Sequence, residues 1–211
     1  GVISPSVTNV SCFGNSDGSA NINLTGGFSP FTYTWSTSPT NTTSSINSLP
    51  IGTYSVTIQD VLGCSTQTSV TISQPPILAI NSSVKNVSCP GTSTGSISAT
   101  PIGGTPPYTY SWLPGGQVSP TITNLLAGNY TVNVTDSKGC VQTASFTITQ
   151  PSPIFITYTQ VNAACFNQSN GSVNTTVNGG TAPFTFSWNP GGATSQNATG
   201  LHAGTYTLTV K

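Results

Sequence analysis

The chain has 211 residues, of which three are basic and three acidic, so its formal net charge is zero and only 3% of it is charged. Without a basic patch it has no means of releasing phosphate counterions, which excludes nucleic acid and anionic membrane surfaces as electrostatic partners. Ser, Thr and Asn, about two-fifths of the residues, must supply solubility, while aromatic and β-branched residues recur too regularly for disorder.

Taken in chain order, the first motif is C-F-G-N-S-D-G-S, residues 12–19, followed by the strand candidate GSANINLTGG, residues 18–27. Next comes FTYTW, where Phe31, Tyr33 and Trp35 alternate with Thr and so share one face of a strand. GTYSVTIQD, residues 52–60, alternates in the same way through Tyr54, Val56 and Ile58; TSVTISQ and ILAINSS supply further short strands bounded by Gly, Pro or Asn. No helical period is present.

The whole pattern then recurs. GGFSPFTYTW is followed by GGTPPYTYSW and GGTAPFTFSW; Cys12, Cys89 and Cys165 step by 77 and 76, and Tyr54, Tyr130 and Tyr206 by 76 each. A fixed period of this size marks a tandem array. The expected domains are repeats at 1–75, 76–151 and 152–211, the third incomplete, as in a window cut from a longer array. A signal peptide or membrane anchor is expected outside that window; within it no apolar run approaches the eighteen or so residues of a span.

Short strands separated by turn signals predict an all-β fold of tandem immunoglobulin-like sandwiches. Trp35, Trp112 and Trp188 fall where strand C buries a ring. Tyr54, Tyr130 and Tyr206 close the spacing L-x-x-G-x-Y, which reads as a tyrosine corner at the start of strand F. All six are expected in the core. The glycine pairs permit a tight connection and Pro30 stiffens it.

A unit this small has a thin core and is expected to need a staple. Each complete unit carries one Cys near its start and one after D-x-x-G-C, so the pairing that repeats with the unit is Cys12 with Cys64 and Cys89 with Cys140. Cys165 would be left without its partner, expected a few residues beyond Lys211. Disulfides point to an extracellular, oxidising setting. The linkers QPP and QPSP favour extended joints, so the repeats should stack as neighbours in a rod.

No nucleophile and base, no carboxylate pair and no metal cluster can be assembled, so neither an enzyme nor a cofactor is expected. Asp17 in GNSDGS raises a calcium loop, but Thr94 and Asn170 stand at the matching places, which favours a turn. Asp60 and Asp136 read as turn residues bonding their own backbone. His202 is the single imidazole, in a turn. Eleven N-x-S/T sequons run from Asn9 to Asn197, Asn41 among them. Only three lysines are available to guard sheet edges, which leaves pairing with other copies in a filament as a further expectation.

C-F-G-N-S-D-G-S, GGFSPFTYTW, LPIGTYSVTIQDVLGC and TISQP together resemble the SprB-type repeat of giant cell-surface adhesins in gliding Bacteroidetes. The resemblance covers essentially the whole chain. It implies a protein exported by the type IX route to the cell surface, forming filaments that bind the substratum and are carried by the motility machinery. It carries over no catalytic residue. Three roles follow: a non-catalytic stalk presenting a distal adhesive region, a module that binds surface polysaccharide through exposed rings, or a self-assembling filament subunit. Exposure of the three tryptophans distinguishes the first two.

Overall fold

The computed structural model describes residues 1–37, 42–165 and 167–211. Among them all regular structure is β-strand, seventeen strands in three successive sets. The first set is β1 (Val2–Thr8), β2 (Gly18–Thr25), β3 (Thr32–Trp35), β4 (Ser45–Leu49), β5 (Gly52–Gln59) and β6 (Ser65–Ile72). These form two three-stranded sheets, β1-β2-β4 and β3-β5-β6, antiparallel throughout. That is the A-B-E and C-F-G arrangement of an immunoglobulin-like sandwich, with β3 in the place of C and β5 in the place of F.

The period-two patterns decide which faces meet. Ala20 and Ile22 of β2, Tyr54, Val56 and Ile58 of β5, and Val70 and Ile72 of β6 are all buried. The intervening Thr, Ser and Asn are exposed or half-buried. Full burial of such an aliphatic side chain contributes about 1.5–3 kcal/mol, so this row is the main source of stability.

The second set repeats the plan: β7 (Ala79–Lys85), β8 (Gly95–Ile102), β9 (Thr109–Leu113), β10 (Thr121–Leu125), β11 (Gly128–Thr135) and β12 (Val141–Ile148). Its sheets are β7-β8-β10 and β9-β11-β12. The third comprises β13 (Phe155–Val161), β14 (Gly171–Asn178), β15 (Phe186–Asn189), β16 (Ala198–Leu201) and β17 (Thr207–Val210), arranged as β13-β14-β16 and a two-stranded β15-β17. By contacts the chain divides into two compact units. One is Gly1–Ser83 with Ile97–Ile122 and Tyr130–Phe146; the other is Val84–Ser96 with Thr123–Asn129 and Thr147–Lys211.

The glycine pair that opens each aromatic phrase has a backbone reason. Gly103 and Gly104 sit at φ 70° and 62°, a left-handed region that side chains other than glycine rarely adopt. A Cβ on Gly103 would lie 2.0 Å from the Ile77 carbonyl oxygen, and one on Gly179 would lie 2.1 Å from that of Pro153. The pair lets the chain cross the start of its own repeat at backbone contact distance.

Candidate functional site

Trp35, Trp112 and Trp188 are 1%, 0% and 5% exposed. Each indole Nε1–H donates to a carbonyl further along the chain: Thr43 at 3.0 Å, Ser119 at 2.9 Å and Ser195 at 3.0 Å. A buried indole with its one donor satisfied is a packing element. Tyr54 is buried too, and its hydroxyl donates to the Pro50 carbonyl at 2.9 Å, the geometry of a tyrosine corner. Tyr206 reaches the His202 carbonyl at 3.3 Å in the same way, and Tyr130 is half-buried. The His202 side chain lies in an exposed turn, where its carbonyl is the part used.

The cysteines depart from expectation. Cys12 is bonded to Cys140, with Cα atoms 5.7 Å apart, while Cys64, Cys89 and Cys165 are free and exposed. The expected pairs Cys12 with Cys64 and Cys89 with Cys140 are therefore corrected: the bridge joins the first repeat to the second. The strand plan explains why. The loop holding Cys12 is fixed to the far end of β6, where Val10 N–H donates to the Ser73 carbonyl and Gly14 N–H to Gln74 Oε1. Cys64 stands just before the near end of β6. Eight residues of strand separate those ends by about 26 Å, whereas a disulfide needs Cα atoms within about 7 Å. Cys89 and Cys140 flank β12 in the same manner, with Gly91 N–H bonded to Gln150 Oε1.

Both partners of the bridge sit in turns that the sequence holds in shape. Asp136 Oδ1 accepts the N–H groups of Lys138 and Cys140, and its Oδ2 accepts that of Thr105. Burial works to raise the Asp136 pKa, but the N–H groups of Cys140, Thr105, Lys138 and Gly139 outweigh it and hold the carboxyl below its ordinary 3.8. Asp60 grips Leu62 and Cys64 identically. On the other side, Asp17 accepts from the Ser11 hydroxyl and from its N–H, and these bonds lower its pKa.

The matching residues explain what Asp17 does. Thr94 Oγ1 accepts Ser88 N–H and Asn170 Oδ1 accepts Ala164 N–H, at 3.0 Å each. Asp, Thr and Asn share only an acceptor oxygen at the right reach, so the position is a loop cap. The recurrent asparagines have a similar explanation: Asn9 and Asn86 accept the N–H of Ser73 and Thr149 just after the closing strands, and Asn197 accepts that of Thr175. Asn41 lies outside the described residues. The sequence alone does not reveal these caps, because the acceptors differ chemically between repeats; the signal it does carry is their equal spacing from each cysteine.

A cleft opens in the third set, a cavity of about 530 Å³ lined by Ile156, Val173, Trp188, Tyr206 and Leu208 among others. Among the described residues no group of three or more His, Cys, Asp or Glu is placed to hold a metal ion, and no helix is long and apolar enough to cross a membrane.

The SprB repeat family matches the chain three times, at residues 4–40, 81–117 and 157–193. Among curated proteins nothing matches. Among solved structures, an amphioxus IgVJ-C2 molecule is 15% identical, covers 69% of this chain and 96% of its own, and has a TM-score of 0.30. The Sidekick-1 immunoglobulin domains 1–5 are 12% identical over 92% of this chain, with a TM-score of 0.36, and this chain spans 48% of their length. A Dscam structure solved to explain isoform specificity is 12% identical, covers 98% of this chain and 69% of its own, and has a TM-score of 0.30.

Proposed function

The chain belongs to the SprB repeat family, and from that premise we propose that it is a load-bearing stalk segment of a surface adhesin, holding a distal adhesive region away from the cell. The observation that carries this reading is the Cys12–Cys140 bridge. Together with the peptide chain through Gln74–Pro76, it gives the first and second repeats two covalent connections, where a flexible tether would have one. Closing a loop with a sequence separation of 128 removes about 5 kcal/mol of unfolded-chain freedom on the chain-entropy model.

SprB repeats and immunoglobulin-like sandwiches are non-catalytic kinds of domain, and no catalytic role is proposed. Burial of all three tryptophans supports the stalk over a polysaccharide binder, which needs open rings. In a gliding cell, export by the type IX route and attachment to the motility machinery would put such a stalk under tension, the circumstance in which a second covalent connection matters.

The test is adhesion by the isolated chain. Purified and oxidised, it is expected neither to adhere to glass nor to shift its tryptophan emission with added surface polysaccharide. Saturable polysaccharide binding with a change in tryptophan emission would overturn the stalk reading and favour the binder.

A further inference from the structure

We propose that the linker itself fixes the joint between the first and second repeats, by bonds to both sandwiches, and that the Cys12–Cys140 bridge is a second restraint acting independently of it. On the side of the first repeat, Ser73 N–H donates to Asn9 Oδ1 at 2.9 Å, the Ser73 carbonyl accepts Val10 N–H at 3.0 Å, and Gln74 Oε1 accepts Gly14 N–H at 2.9 Å. On the side of the second, the Pro76 carbonyl accepts Gly104 N–H at 2.9 Å. The Ile77 carbonyl lies against Gly103, where no Cβ would fit, and the Leu78 side chain is buried. Pro75 alone stands between the two sets of bonds.

The backbone has little freedom at that point. The rings of Pro75 and Pro76 fix φ at both residues. What remains is ψ of Gln74 and ψ of Pro75, and each precedes a proline, which confines it to the extended region. A glycine- or serine-rich linker of the same length would be a flexible coil. The same bonds recur one period later, joining Thr149 to Asn86 and Val87, Gln150 to Gly91, and Ser152 to Gly180. The arrangement therefore belongs to the repeat and not to one joint.

Each cysteine of the bridge is attached to one end of this linker. Gly14, two residues after Cys12, holds Gln74. Asp136 ties the N–H of Cys140 to that of Thr105, and Thr105 adjoins the Gly104 that holds Pro76. The linker bonds thus carry the two Cα atoms to 5.7 Å, inside the range that a disulfide spans. Tension along the chain meets a hydrogen-bonded linker and a covalent bridge side by side. When the hydrogen bonds open, the bridge still limits the separation.

The test measures amide N–H dipolar couplings of the 211-residue chain, partially aligned in a dilute liquid-crystalline medium and fitted separately for β1–β6 and β7–β12. In the oxidised chain the two fits are expected to give one common alignment tensor. Cys12→Ser with Cys140→Ser should leave them in common, because the linker still holds. Gln74→Ala with Pro75→Gly should also leave them in common while the bridge is intact. All four changes together should make the two alignment magnitudes differ by about twofold or more. Unshifted indole N–H resonances of Trp35 and Trp112 show that both sandwiches remain folded; if the fourfold variant unfolds, Pro75→Gly in the unbridged chain supplies the same reading. Separation of the tensors on loss of the bridge alone would overturn the proposal. So would a common tensor in the folded chain that lacks both restraints. None of these outcomes bears on polysaccharide adhesion, so the stalk reading stands or falls separately.

Discussion

At Gly103 two constraints coincide, a φ of 70° and a Cβ position 2.0 Å from the Ile77 oxygen. Left-handed backbone alone costs a non-glycine residue about 1–2 kcal/mol, and relief of the clash must move main chain. Gly103→Ala is therefore expected to destabilise by more than about 2 kcal/mol in urea titration. Gly116, at φ 63° with nothing within 4 Å of its Cβ, should lose only about 1 kcal/mol on the same change. The carboxylates make a second residue-scale prediction. The folded Asp136 pKa lies below 3.8, so the stability it contributes is complete above that value and is lost as pH falls through the lower folded one. The thermal midpoint should begin to drop as pH falls below 3.8, and Asp136→Asn should flatten that drop. Asp17→Asn should leave the midpoint at neutral pH nearly unchanged, because an amide oxygen caps the same loop in the third repeat, whereas Asp17→Ala should lower it.

Among the elements, the closing strand matters most because it joins one sheet to the end of the other and anchors the cysteine loop. Ile148 is 1% exposed and packs over Gly95, so Ile148→Ala should cost about 2–5 kcal/mol. Exposed Gln142 on the same strand should tolerate Ala within about 0.5 kcal/mol. Calorimetry of the two variants checks the contrast. The strands themselves were legible in the sequence, since period-two alternation around Trp35 and Tyr54 fixes which face is buried, and the spacing L-x-x-G-x-Y fixes a turn. The partner of each cysteine was not legible: recurrence with the unit pointed to Cys12 with Cys64 and Cys89 with Cys140, and the bridge is Cys12–Cys140. A pairing within one repeat and a pairing between consecutive repeats recur with the same period, so periodicity cannot choose between them. The choice is made by the length of β6, which places Cys12 and Cys64 at opposite ends of one sandwich.

For the whole molecule, the bridge changes how the chain responds to force. Pulled from its two ends in the oxidised form, the chain carries tension across Cys12 and Cys140, whose Cα atoms are 5.7 Å apart, and the residues between them are shielded from extension. Once the bridge is reduced, those residues can stretch. With a separation of 128 in sequence and up to about 3.6 Å per extended residue, the fully unfolded length should grow by roughly 450 Å. Single-molecule pulling with and without reductant measures this directly, and equal lengths in both forms would show that no bridge spans the first two repeats. Thiol mapping provides the matching chemical outcome. Under native, non-reducing conditions Cys64, Cys89 and Cys165, all exposed, should alkylate promptly, whereas Cys12 and Cys140 should react only after reduction. Labelling of Cys12 in the untreated chain would show that it holds no bridge, and protection of Cys64 would return the bridge to a single repeat; either outcome removes the mechanical argument for a stalk.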